Sequence, residues 1–201
     1  MKQENYAERY VSSILTETCY NNGNYELGVE EASLIAPANL SSKLVYQITR
    51  MYFALGMTNQ ANSFLYNHQE TIKDLLLFDI LKIYDDLISS DFKSAKAKIE
   101  KKQSQLEGDS DGLIVCGVFE KVWGNKEKAQ FYFKKSIQIN PKNADAYTNL
   151  GHYHLQNTEY DLAIKYFSRA LKIKPYHSKT RDLLVKAMFS ANLLTELRDI
   201  L

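Results

Sequence analysis

At 201 residues the chain can form one packed domain or one short array of repeats, and 45% hydrophobic and 12% aromatic residues with only eight Gly and three Pro exclude a disordered chain. The net charge of +1 gives no reason to expect nucleic acid or an acidic substrate, yet the charge is uneven. Residues 1–91 carry 6 Lys+Arg against 12 Asp+Glu, and residues 92–201 carry 19 against 12.

Apolar residues recur at helical spacing along the chain, and turn signals divide it into helix pairs. The first pair is expected over 5–37, split at Asn22-Gly23-Asn24-Tyr25, with Gly28 as the small residue of its second helix and Pro37 after it. The second, over 41–69, splits at Leu55-Gly56, with Ala61 small. The third, over 71–104, splits at Ser89-Ser90-Asp91-Phe92, with Ala95 and Ile99 beyond; its first helix, near 76–89, fits two registers one residue apart. The fourth and fifth, over 110–143 and 144–177, close near Asn140-Pro141 and Lys174-Pro175, where a proline cannot continue a helix. Residues 178–201 read as capping helices, Ser178 to Ala191 and a short one from Leu194 to Leu201.

Residues 144–177 carry Tyr147, Leu150-Gly151, His154, Ala163, Phe167, Ala170 and Pro175. Shifting the pattern back by the interval from Pro175 to Pro141 gives Leu113, Cys116-Gly117, Glu120, Ala129, Phe133, Ser136 and Pro141 without a gap. This pattern resembles the tetratricopeptide repeat, with His154 in place of the usual Tyr. The resemblance implies an all-α fold, a right-handed superhelix of antiparallel helix pairs, forming a single solenoid over 1–201. Each unit of such an array buries its apolar face against its neighbours.

Catalytic and metal chemistry find no support. There is no Gly-rich phosphate loop, nucleophile elbow or paired-histidine metalloprotease helix, so no enzyme and no cofactor are expected. His152 and His154 stand two residues apart and point about 200° apart on a helix, so they cannot share a metal ion. The acidic pairs Glu30-Glu31 and Asp85-Asp86 read as solvated charges. The lysines at 93, 96, 98, 101 and 102 read as a solvated outer face without interleaved aromatics for base stacking. Cys19 and Cys116 form no paired motif and read as small buried hydrophobes. With no apolar run of membrane-spanning length and no secretory signal, a cytoplasmic location is expected.

What the resemblance implies for function is a concave groove, lined by the first helix of each pair, that holds a peptide or helix of another protein. On that face the phasing places Ile114, Val115, Val118 and Val122, then Thr148, Asn149, His152 and Gln156, then Lys179, Leu183 and Lys186, with Tyr46, Gln47 and Arg50 further back. A second reading stays open, in which Ile114, Val118 and Val122 are core residues at the same spacing. Some members of the family grip a terminal carboxylate with a clamp of Lys and Asn residues. Asn149 and Lys179 fit two of its positions, but the others differ, with Leu183 in place of the last Arg, so a chaperone-tail receptor is not expected. A scaffold or adaptor is the leading expectation; a dedicated chaperone resembling those of type III secretion and a structural subunit of a larger complex are the alternatives.

Overall fold

The structure, a computed structural model, describes residues 2–193 and side chains from residue 10 onward. Its elements are α1 (Lys2–Asn22), α2 (Tyr25–Ala32), α3 (Ser42–Ala54), α4 (Thr58–Asn67), α5 (Leu75–Ile88), α6 (Phe92–Glu107), α7 (Ser110–Trp123), α8 (Lys126–Ile139), α9 (Ala144–Gln156), α10 (Tyr160–Ile173) and α11 (Ser178–Ser190). Single 3-10 turns at Pro37–Asn39 and Gln69–Thr71 complete them, and no strand occurs among the described residues. The fold is all-α. The short helix expected over Leu194 to Leu201 lies outside the described residues.

One hydrogen bond recurs along the chain. At the end of each odd-numbered helix an amide donates to the carbonyl five residues earlier: Asn24 to Cys19, Met57 to Tyr52, Asp91 to Asp86, Asn125 to Glu120, Glu159 to His154 and Leu193 to Met188, at 2.8–3.0 Å. From Cys19 to Met188 the acceptors follow one another at an almost constant interval. Such a bond closes a helix end through one left-handed residue, and each turn has one: Gly23, Gly56, Ser90, Gly124, Thr158 and Asn192, with φ between 59° and 95°. Glycine takes this conformation without steric cost; Ser, Thr and Asn do not.

The following helix then starts against its partner through a small residue. Ala61, Ala95 and Ala163 are fully buried and Ala129 is nearly so. Their amides, like that of Gly28, bond to the carbonyl of the residue that closed the turn, at 2.9–3.1 Å. The shared turn also settles the register of α5. With Asp86 at the turn, Ile83, fully buried, occupies the place held by Gly117 and Gly151 in α7 and α9.

The chain divides into two compact units, Met1–Lys98 and Ile99–Leu201, with the division inside α6. The first unit is centred on Val45, Ile48 and Met51 of α3, with Leu65, Ile80, Leu81 and Ile83 around them. Here the expectation for one acidic pair fails. Asp86 is buried and bonded to Lys98 Nζ at 2.6 Å, and Asp85 accepts from the Asn62 amide at 2.7 Å. A carboxylate that leaves water needs such partners, and sequence spacing does not reveal them.

In the second unit α7 packs on α8 and α9 on α10, with α11 against α10. Phe133 and Phe167 lie against the glycines of the facing helices. A Cβ at Gly117 would sit 2.4 Å from the Phe133 ring, and one at Gly151 2.6 Å from the Phe167 ring. The joint between the pairs is polar and fully engaged. Asn143 caps α9 by accepting from the amides of Asp145 and Ala146, and its own amide reaches Ser110 Oγ at 2.7 Å and Asp111 Oδ1 at 3.0 Å on α7. Cys19 and Cys116 are buried free thiols. Burial pushes the Cys116 thiol up to about 12, out of the range in which it would react as thiolate.

Two substitutions should move stability in opposite directions. In an open helix Gly151→Ala would gain about 1 kcal/mol. Here the added methyl group overlaps the Phe167 ring, so a net loss of about 1–3 kcal/mol is expected. Thr158→Gly removes a β-branched residue from the left-handed region and should gain about 0.5–1 kcal/mol. Urea unfolding of the two variants checks both signs.

Candidate functional site

The candidate site lies on the first helices of the second unit, α7, α9 and α11. Two polar ties hold their amino-terminal ends together. Asn143 joins α9 to α7, as described above, and the hydroxyls of Thr148 on α9 and Thr180 on α11 lie 2.9 Å apart. Thr180 is fully buried and also meets His177 Nδ1 at 2.5 Å. The helices are thereby aligned, and one face of each runs beside the next.

Toward the carboxyl ends of α7 and α9, cations gather on that face. His152 of α9 is half-buried, with ring Nδ1 buried and without a hydrogen-bond partner. Burial of the ring, then repulsion from Lys121 of α7 and from Lys179 and Lys186 of α11, holds its pKa down at about 4. The imidazole is therefore neutral near pH 7. Lys121 is also half-buried, and burial, with repulsion from Lys179, lowers its pKa. No ion pair to these three lysines is present among the described residues. Three like charges from two helices thus act on a neutral ring whose buried nitrogen has no hydrogen-bond partner.

The remaining expected residues divide. Ile114 is 2% exposed and belongs to the core, as does Val115 beside it. For Ile114 the core reading is therefore the one the structure supports. Val118 is half-buried, and Val122 is 50% exposed near Trp123, whose ring stacks on Phe119 at 5.6 Å. Asn149 is half-buried and its amide already donates to the Asp145 carbonyl at 2.9 Å, so less of it is free for a ligand than its type suggests. Gln156, Lys179 and Lys186 are exposed, and Leu183 is half-buried.

In the first unit the expected continuation is closed. Tyr46 and Gln47 are buried, and Arg50 bonds to the Tyr46 hydroxyl at 2.9 Å while lying 4.2 Å from the Tyr84 ring centre.

His154 packs as the motif position requires. It is buried, stacked on Tyr166 with ring centres 5.2 Å apart, and bonded through Nδ1 to Glu159. Among the described residues no three His, Cys, Asp or Glu side chains converge as a metal site, and no helix is long and apolar enough to cross a membrane. A cavity of about 470 Å³ opens between α9 and α10, lined by Tyr147, Leu162, Lys165, Tyr166 and Arg169 among others.

The face expected from the sequence omits Lys121, although the signal for it is there. Lys121 stands seven residues after Ile114 and three after Val118, which is the same side of a helix. The apolar residues before it favour a core stripe, and a core stripe has no place for a lysine.

Residues 144–177 match the family model described as tetratricopeptide repeat, and residues 123–143 match a second model of the same description. Tetratricopeptide repeat protein 6 of Homo sapiens is 36% identical over 71 residues, which is 35% of this chain and 14% of the length of that protein. Among solved structures, a thermophilic TPR protein of Thermus thermophilus superposes with a TM-score of 0.61 at 15% identity, over 92% of this chain and 99% of the other. Pseudomonas aeruginosa pilF superposes with a TM-score of 0.58 at 17% identity, over 79% of this chain and 72% of the other. At such identities these two likenesses concern the fold alone.

Like charges held close together destabilise the face that carries them. Replacing Lys179 and Lys186 by Gln should therefore raise the melting temperature at low ionic strength, by a gain below about 1 kcal/mol. In about 1 M salt, where charges are screened within about 3 Å, the gain should vanish.

Proposed function

Because residues 123–177 match models of the tetratricopeptide repeat and the turn they share recurs along the chain, we propose that the chain is a non-enzymatic protein-interaction scaffold of that family and receives a peptide or helix of another protein on the face formed by α7, α9 and α11. The observation that carries this reading is the contrast between the units. On α3 the corresponding side chains are buried or bonded to one another. On α7, α9 and α11 Ile114 and Val115 are core, but Val118, Asn149, His152 and Leu183 are half-buried and Val122, Gln156, Lys179 and Lys186 exposed. Apolar and amide groups side by side suit a bound segment, because the apolar groups anchor side chains and the amides meet its backbone.

A dedicated chaperone and a subunit of a larger assembly would use the same face and differ in what they hold. One client protein captured alone marks the chaperone, and a stable set of several proteins marks the assembly.

Photo-crosslinking tests the location. A benzophenone side chain at position 156 or 122 should capture a partner, whereas one at position 134, exposed on α8, should not. Val118→Asp should weaken capture by about tenfold or more while the melting curve stays cooperative, because Val118 is only half-buried. Capture from position 134 and not from 156 would move the binding surface to the second helices.

A further inference from the structure

We propose that the cavity between α9 and α10 is a separate binding site, for a phosphate monoester carried on a flat aromatic ring. The site goes beyond the scaffold reading and does not depend on it, because none of the residues argued for the face of α7, α9 and α11 lines this cavity.

At about 470 Å³ the cavity has the size of a small-ligand site. Tyr147 of α9 and Tyr166 of α10 form an aromatic wall, with ring centres 6.4 Å apart and planes 35° from parallel. Both rings are fixed by neighbours. Tyr147 donates its hydroxyl to the Pro141 carbonyl at 3.3 Å, and Tyr166 stacks on the buried His154. Lys165, Arg169 and Lys172 stand at successive turns on one side of α10, all exposed and all lining the cavity. The Arg169 guanidinium lies 5.9 Å from the Tyr147 ring centre, which keeps it beside the aromatic wall.

No acidic residue lines the cavity, and none of the three cations has an ion pair among the described residues. The preceding repeat shows the same positions neutralised. Shifted by the interval from Pro175 to Pro141, Arg169 falls on Lys135, which pairs with Glu107 at 2.9 Å, and Leu162 falls on Lys128, which pairs with Glu120. In the later repeat Pro141 takes the place of Glu107 and His154 that of Glu120, so neither acid is repeated. Fully buried Leu113 is likewise replaced by half-buried Tyr147. The repeat thus loses its anions and gains an accessible ring at one spot.

The ligand follows from these groups. A phosphate monoester carries close to two negative charges near pH 7 and three strong acceptor oxygens. Arg169 can meet two of them in a fork while Lys165 and Lys172 add point charges. A flat ring on the same ligand packs on the tyrosines. A phosphotyrosine side chain and a nucleoside monophosphate share this chemistry.

The test is an NMR titration of the full chain at low salt with phenyl phosphate, inorganic phosphate and phenol. Phenyl phosphate should bind with a Kd below about 1 mM and at least about tenfold more tightly than either control. Its binding should be lost in the triple variant Lys165→Gln, Arg169→Gln, Lys172→Gln. In Tyr147→Leu, the residue of the preceding repeat, the advantage over inorganic phosphate should disappear. A Lys93→Gln, Lys101→Gln variant on α6 should bind like wild type, and a circular dichroism melt of each variant separates loss of binding from loss of fold.

Equal binding of phenyl phosphate and inorganic phosphate, a Kd above about 1 mM, or binding unchanged in the triple variant would each overturn the proposal. None of these outcomes bears on the scaffold face, which Val118→Asp tests separately. Phenyl phosphate binding lost on Val118→Asp and kept in the triple variant would place the anion on the first helices and overturn the site. With the site upheld, a short peptide carrying phosphotyrosine and adenosine monophosphate separate the two sources. Tighter binding of the peptide assigns the site to a modified partner protein, and tighter binding of the nucleotide to a small-molecule ligand.

Discussion

A phenylalanine ring resting directly on helix backbone sets the geometry of the second unit. Phe133 lies on Gly117 and Phe167 on Gly151, so closely that a single methyl group at either glycine would collide with the ring. The two helices of a pair can approach this far because glycine leaves room for the ring, and Ala129 and Ala163, buried and small, stand one turn before it on the facing helix. The turn between them enforces the same approach, with one left-handed residue and one amide-to-carbonyl bond across five residues. Repetition of that turn after Glu120, His154 and Met188 brings α7, α9 and α11 side by side in the same rotation.

This alignment turns sequence-distant residues into a surface. Lys121, His152 and Lys179 lie on three different helices, and the lysines repel a proton on the His152 ring because α7, α9 and α11 are tied together by Asn143 and by the Thr148–Thr180 contact. Asn143 is fully engaged in these ties, whereas Lys121, Lys179 and Lys186 have no ion pair among the described residues. Three lysines acting on a half-buried histidine, without ion pairs among the described residues, make a face whose charges work against its own stability.

Much of the fold was legible because the turn needs particular residue types. Gly23, Gly56 and Gly124 mark left-handed positions, Ala61, Ala95, Ala129 and Ala163 mark close crossings, and Pro141 and Pro175 mark helix ends. Ser90, Thr158 and Asn192 fill left-handed positions with residues that carry no such mark, and spacing alone places their turns. The candidate face was less legible. Ile114, Val118 and Val122 share one helical stripe, yet one is core, one half-buried and one exposed, because burial falls away toward the carboxyl end of α7. Tyr46 and Gln47 have the right phase and are buried, in a region where Arg50 packs against the rings of Tyr46 and Tyr84. Asp86 reads as a surface charge in the sequence, and only the fold brings Lys98 against it. Periodicity reports which side of a helix a residue occupies; what covers that side depends on neighbours far away in sequence.

The repeat geometry brings α7, α9 and α11 together so that burial and the charges of Lys121, Lys179 and Lys186 act on His152. Titration of the His152 imidazole by NMR tests this directly, with a His152→Gln variant to assign its signal. The account predicts a midpoint near 4 in the free protein, from burial first and the three lysines second, and a rise toward the ordinary value when the lysines are replaced by Gln. A midpoint near 6.5, unmoved by those replacements, would contradict it, because the ring would then be solvated and the lysines remote.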